Sequence, residues 1–188
     1  MPTLNDDLSY LEFSVAALED YLLSGDIFWP LSGGQTGHLP RMSLGGILLA
    51  MARSAASVQS PAQQSRLRRV KTAIEAARSR WQTTWARKAG REFEARLRQW
   101  AAFLHEYREN PSGQAAYYAY EVRLRVMLDL LLREGGENIT PAAQEMYQGL
   151  DAILRAVFES GDFLWDASLK AGFPQNQYWY LHGSVRSA

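Results

Sequence analysis

Two carboxylates and two histidines are the residues of this chain best placed, by type and spacing, to do chemistry. Asp26 stands in Ser24-Gly25-Asp26 and is followed by Ile27, Phe28 and Trp29, while Asp162 stands in Ser160-Gly161-Asp162 and is followed by Phe163, Leu164 and Trp165. The likeness runs from Leu18 to Ser32 and from Leu154 to Ser168 at one constant offset, with six identities in fifteen positions. Carboxylates at equivalent places that converge in the fold do acid-base work or hold a cation. His38 follows the first copy and His182 the second, so both would join the carboxylates if the copies are neighbours. Trp29, Trp165, Tyr178 and Trp179 would then wall an apolar pocket with a few polar groups, the usual make-up of a small-molecule site. The ligand-binding candidates are therefore Asp26, Trp29, His38, Asp162, Trp165, Tyr178, Trp179 and His182. No spacing of the His-Glu-x-x-His or Glu-x-x-His kind accompanies them, so neither a metal site nor a cofactor is assigned.

A structural explanation competes and is preferred. Gly25 and Gly161 can each end a helix as a left-handed residue, and the Asp that follows can cap a short turn anchored by the Trp. Every residue of both copies is then used without invoking a ligand.

Other motifs are weaker. Leu31-Ser32-Gly33-Gly34-Gln35 resembles the LSGGQ signature of ABC-type ATPases. That resemblance would imply nucleotide-phosphate contacts, which require a phosphate loop ending in Gly-Lys-Ser or Gly-Lys-Thr. Only Lys71, Lys88 and Lys170 are present and none follows a glycine, so the stretch is read as a glycine-rich connection. The chain has no Cys, which excludes thiolate chemistry and disulfides. Ser168-Leu169-Lys170 lacks the spacing of a Ser-x-x-Lys nucleophile. The balance leans away from an enzyme.

Charge is unevenly placed in a chain whose formal net charge is zero. Residues 1–40 carry six acids and no Lys or Arg, whereas residues 41–98 carry thirteen bases and three acids. A basic middle between acidic ends points to internal or subunit-to-subunit pairing more than to nucleic acid, although a basic face can attract an anionic partner. The N-terminus is polar and acidic, unlike a secretory signal, and the longest apolar run falls well short of the ~20 residues that a membrane span needs. A soluble, cytoplasmic protein is expected.

The elements that must position these residues are helical throughout. Leu11, Val15, Leu18 and Leu22 place a first helix over about 6–24, capped by Asn5. Ser43 caps a second, over about 44–58, whose Gly45 and Gly46 invite close approach by another element. From Ser60 and Pro61 the stripe Leu67, Val70, Ile74, Ala77, Trp81, Trp85, Ala89, Phe93, Leu97, Trp100, Leu104 and Tyr107 keeps the period of a straight helix. One helix of nearly fifty residues, on the order of 70 Å long, is expected, with Gly90 as the place for a bend. A fourth helix follows over about 114–134, with Glu121–Arg125 and Asp129–Arg133 as favourable pairs, and a fifth starts at Thr140-Pro141 and ends at Gly161. No long alternating strand is present. The expected architecture is a single all-α domain over residues 1–188, a five-helix bundle organised on the long central helix, with aromatic-rich loops after the first and fifth helices.

This frame predicts a non-catalytic interaction or self-assembly module. A homodimer, or a complex with another protein, would cover the long helix. A pocket at the duplicated corners is the first alternative, and an anionic partner on the basic helix the second.

Overall fold

A computed structural model of the chain describes residues 2–31, 40–58 and 60–187. Its order is α1 (Leu4–Leu23), α2 (Leu44–Ser57), α3 (Pro61–Arg80), α4 (Gln82–Glu109), α5 (Pro111–Gln114), α6 (Tyr118–Gly135), α7 (Pro141–Val157), β1 (Phe158–Phe163) and β2 (His182–Val185). The class is all-α: the described residues form seven α-helices where five were expected, with one small two-stranded sheet. Among the described residues no helix is long and apolar enough to cross a membrane.

The helix starts follow local chemistry. The Oγ of Ser43 accepts from Gly46 N at 3.1 Å, and Ser60 and Gln63 cap each other reciprocally ahead of Pro61. Thr140 Oγ1 accepts from Ala143 N and caps α7 without a reciprocal bond. The cap of α1 is Thr3, not Asn5: it exchanges hydrogen bonds with Asp6, and the helix begins at Leu4.

The long helix is broken, and not at Gly90. At Trp81 the backbone turns to φ −115° and ψ 35°, away from helical values, although Trp81 N still bonds Ala77 O and Trp85 N still bonds Trp81 O. The last bond of α3 and the first of α4 both meet at Trp81, and the apolar stripe is buried on either side of the break, at Val70 and Ile74 before it and from Trp85 after it. Glu134 of α6 bridges the junction, accepting from Trp85 Nε1 at 2.9 Å and pairing with Arg78 at 2.8 Å. Gly90 lies inside α4 for a different reason: a Cβ there would strike the Asn138 backbone. It is the point where the turn after α6 presses on α4.

The core is one cluster around the α4–α6 pair, closed by α2 and α1 on one side and by α7 and the tail elsewhere. Val70, Ile74, Trp85, Ala89, Phe93, Leu97, Trp100, Leu104 and Tyr107 of the stripe are all buried within the chain. Leu67, Ala77 and Trp81 of the same stripe are half-buried. The acidic start meets the basic middle as expected, through Asp7–Arg53, Glu12–Arg66, Glu12–Arg69 and Glu19–Arg80. On α6 the pairs differ from those expected by spacing alone. Arg125 turns to Asp129 and to Asp151 of α7, and Glu121 takes Arg123 instead.

The two copies of the repeated stretch adopt different structures. α1 ends at Leu23, Ser24 is extended, and Gly25 has no positive φ. α7 ends at Val157, four residues before Gly161, and Ser160-Gly161-Asp162 lies in β1, paired antiparallel with β2. The left-handed glycine corner is thus absent from both. The side chain that caps the turn after the second copy is Asp166, which accepts from Ser168 N and Oγ, and not Asp162. A helix followed by an extended segment and a helix followed by a strand share their sequence because both need a small, polar exit from a helix; their partners decide the rest.

Candidate functional site

The first corner is organised by Lys88 of α4. Its Nζ donates to Ser24 O at 3.1 Å and to Asp26 O at 2.5 Å, and lies 4.1 Å from the Tyr21 ring centroid. An ammonium at the C-terminal end of α1 complements the negative end of the helix dipole. Asp26 is exposed, and its backbone, not its carboxylate, makes the contact. Its N–H donates to Ser24 Oγ at 3.2 Å. Trp29 is half-buried and pairs backbone to backbone with Met42, 2.8 Å in both directions. His38 and Ser32 to Gln35 lie outside the described residues.

The second group gathers around Phe173. The rings of Trp165 and Tyr178 both meet Phe173 edge-on, and His182 Nε2 donates to its carbonyl at 2.9 Å. That bond fixes the tautomer with the proton on Nε2. Trp165 Nε1 donates to Ala119 O at 3.2 Å, and Trp179 lies between Phe158 and the Arg155 guanidinium, 4.0 Å above its ring. Asp162 is exposed on β1. The structure thus brings Asp162, Trp165, Tyr178, Trp179 and His182 to one region and places Asp26 and Trp29 in another. No hydrogen bond, ion pair or ring contact among the described residues joins the two. Within the second group Trp165, Tyr178 and His182 are buried, each in contact with Phe173. No cluster of three metal-ligating side chains occurs among the described residues.

Three buried polar arrangements escaped the pattern of the sequence. Glu92 of α4 is fully buried, accepts from Gly45 N at 3.0 Å and from Arg96 Nε at 3.1 Å, and so occupies the N-terminus of α2 with the protein's own carboxylate. A Cβ on Gly45 would lie 2.8 Å from Glu92 Oε1 and one on Gly46 2.6 Å from the Tyr10 hydroxyl, which accounts for both glycines. Those glycines were the available signal for a polar group at this place.

The second is the Arg125 network. The guanidinium donates from Nε and Nη2 to both oxygens of Asp151, at 2.7 and 2.9 Å, and from Nη1 to Asp129 at 2.6 Å. It lies between the rings of Tyr147 and Tyr180, 4.4 and 4.5 Å from their centroids, and both phenols donate to Asp129. Burial opposes the Arg125 charge, but the hydrogen bonds to Asp151 and the surrounding negative charge outweigh it and raise its pKa. Burial, then the Asp129 charge, pushes the Tyr180 phenol well above its ordinary value, so it stays a donor. Every polar atom of the guanidinium and of Asp129 has a protein partner in this arrangement, which suits a structural clasp.

The third is Lys88 itself. Burial, and next the neighbouring Arg91, pulls its pKa from 10.5 down to about 8. The folded chain therefore releases this proton near pH 8 and the unfolded chain only near 10.5, so the unfolded state holds more protons between these values and stability rises with pH across them. Urea midpoints of the wild type and of Lys88→Met should diverge in favour of the wild type between pH 7.5 and 9.5. A constant difference would show that Lys88 titrates alike in both states.

No family model matches this chain, and no curated protein or solved structure compared with it gives a match.

Proposed function

We propose that this chain is a non-catalytic helical bundle that assembles with a second copy of itself through the start of α6. One observation carries the proposal. Tyr117 and Tyr120 are 59% and 61% exposed, one turn apart, with the Arg123 guanidinium 3.7 Å over the Tyr120 ring. Tyrosine and arginine are the residue types that dominate binding hot spots, because they bury a large flat surface while keeping a polar handle. Arg123 also pairs with Glu121 at 3.2 Å, so the surface carries one charge of each sign. A neutral patch of this kind is complementary to itself about a two-fold axis, with Arg123 of one copy facing Glu121 of the other. The non-catalytic part of the proposal is supported by the buried Asp7, Lys88, Glu92 and Arg125, each of which spends its polar atoms on partners within the chain.

Sedimentation equilibrium tests this directly. The wild type should shift from monomer to dimer with concentration, Tyr117→Ser with Tyr120→Ser should remain monomeric, and Arg123→Glu should weaken association. Restoring opposite charge with Glu121→Arg in the Arg123→Glu background should recover it. A wild type that stays monomeric up to its solubility limit sinks the proposal.

A further inference from the structure

The outer side of α3 carries a second feature, independent of the tyrosine patch on α6. α3 buries only Val70 and Ile74 of its twenty residues, so most of its surface is open. Ser65, Arg68, Arg69 and Thr72 fall at i, i+3, i+4 and i+7, which aligns them on one side of the helix, where they rim an open depression. The charges around it do not cancel. Glu12 of α1 is held through both oxygens by Arg66, at 3.0 and 2.7 Å, and receives only one further bond, at 3.2 Å, from Arg69. Arg69 is 72% exposed and keeps its other donors free to turn outward. Arg68 has no acidic partner among the described residues. Glu75, the acid next along α3, is engaged by Lys71. Arg66, Arg68 and Arg69 against Glu12 leave two positive charges on a stretch roughly 10 Å long.

We infer that this face binds a phosphomonoester dianion. The Arg68 fork, the Arg69 donors not spent on Glu12 and two hydroxyls match three terminal phosphate oxygens carrying a double negative charge. A carboxylate offers two oxygens and one charge and would leave half of these donors idle. A phosphodiester chain offers one charge per phosphate along an extended backbone, whereas the unbalanced charge here is confined to two turns of a single helix in a chain of zero net charge. The phosphomonoester is carried either on a phosphorylated segment of a partner protein or on a small phosphate ester, and both present the same group to Arg68, Arg69, Ser65 and Thr72.

Fluorescence anisotropy with the full chain at physiological salt provides the test. The probe is a labelled phosphoserine peptide of otherwise neutral sequence, with its unphosphorylated form and a short single-stranded DNA of equal charge as controls. O-phosphoserine and inorganic phosphate serve as competitors. The phosphopeptide should bind, the unphosphorylated peptide should not, and both competitors should displace it. Arg68→Ala, at an exposed position without an ion-pair partner, should weaken binding about tenfold, the loss expected for a charge-assisted hydrogen bond. Thr72→Val should weaken it by a smaller factor. Arg98→Ala, an exposed arginine of α4, should leave it unchanged. Competition by O-phosphoserine as strong as that by unlabelled phosphopeptide would assign the source to a small ester; much tighter binding of the peptide would assign it to a protein segment. Equal losses in Arg68→Ala and Arg98→Ala, equal affinity for the DNA, or no binding of any phosphomonoester would each overturn the inference.

Discussion

Arg125→Ala should lower the unfolding free energy by about 3–5 kcal/mol, the range for removing one partner of a buried ion pair. The wild-type guanidinium, only 5% exposed, is the sole cation between Asp129 and Asp151 in this network and fills the space between two tyrosine rings. Its loss leaves two carboxylates facing each other across a gap, with the Tyr147 and Tyr180 hydroxyls still bound to one of them. The expected signature is therefore coupling as well as loss. Asp151→Ala combined with Arg125→Ala should cost clearly less than the sum of the two single changes, by about 1 kcal/mol or more. Denaturant unfolding of the four proteins in the cycle measures this. Additive costs would mean that Arg125 acts through packing on the two rings and not through its charge.

Gly90→Ala should be the second large effect, and it runs against helix propensity. In the middle of a helix alanine is favoured over glycine by about 1 kcal/mol. At Gly90, however, the added methyl would collide with the carbonyl oxygen of Asn138 and lie 2.9 Å from its Cβ, and the backbone on both sides is held, by α4 on one and by the Gly135–Asn138 turn on the other. Gly135 approaches Gly90 from the facing helix, where a Cβ would sit 3.3 Å from Gly90 N, so the two helices have little room to part. A net loss of about 2 kcal/mol is expected, in the range of overpacked core substitutions. Gly149→Ala supplies the contrast. Gly149 is exposed within α7 with nothing within 4 Å of its Cβ position, and there alanine should raise Tm. If both changes stabilise, the close approach at Gly90 relaxes at no cost.

These two sites show where sequence was legible. Capping residues located the starts of α2, α3 and α7, because Ser43, Ser60-Pro61 and Thr140-Pro141 act within one turn of themselves, while the ends of α3 and α7 fell earlier than periodicity suggested. The acidic start and basic middle foretold the ion pairs between α1 and α3, since charge balance does not depend on register. The break at Trp81 was hidden because neither Gly nor Pro causes it. Glu134, a residue of another helix, spans it through Arg78 on one side and Trp85 on the other, and the stripe keeps its spacing through it. Gly90 misled for the complementary reason: a glycine in a helix signals either a bend or a neighbour, and only the neighbour's position distinguishes them.

The duplicated corners were the least legible feature. Ser-Gly-Asp with a following Trp is compatible with a bend or a strand, and β2, some twenty residues further on, selects the strand for the second copy. The same dependence explains Arg125. Spacing along α6 offered it Glu121, but α7 and the tail present Asp151, Tyr147 and Tyr180, and a bidentate contact between stacked rings outweighs one exposed pair four residues away.

The fastening of the tail bears on how the chain reaches this state. Phe173, Tyr180, Leu181 and Val185 are core residues, and phenols far back in the sequence secure their segment: Tyr118 donates to Tyr180 O at 2.8 Å and Tyr107 to Arg186 O at 2.7 Å. Contacts spanning sixty to eighty residues carry a large loop-closure cost and form late. During synthesis, α1 to α6 can collapse on their local contacts before residues 173–185 emerge, and Tyr118 meets Tyr180 only after that. Until closure the places of Phe173, Tyr180, Leu181 and Val185 in the core stand empty, the condition in which a partly folded chain exposes apolar surface.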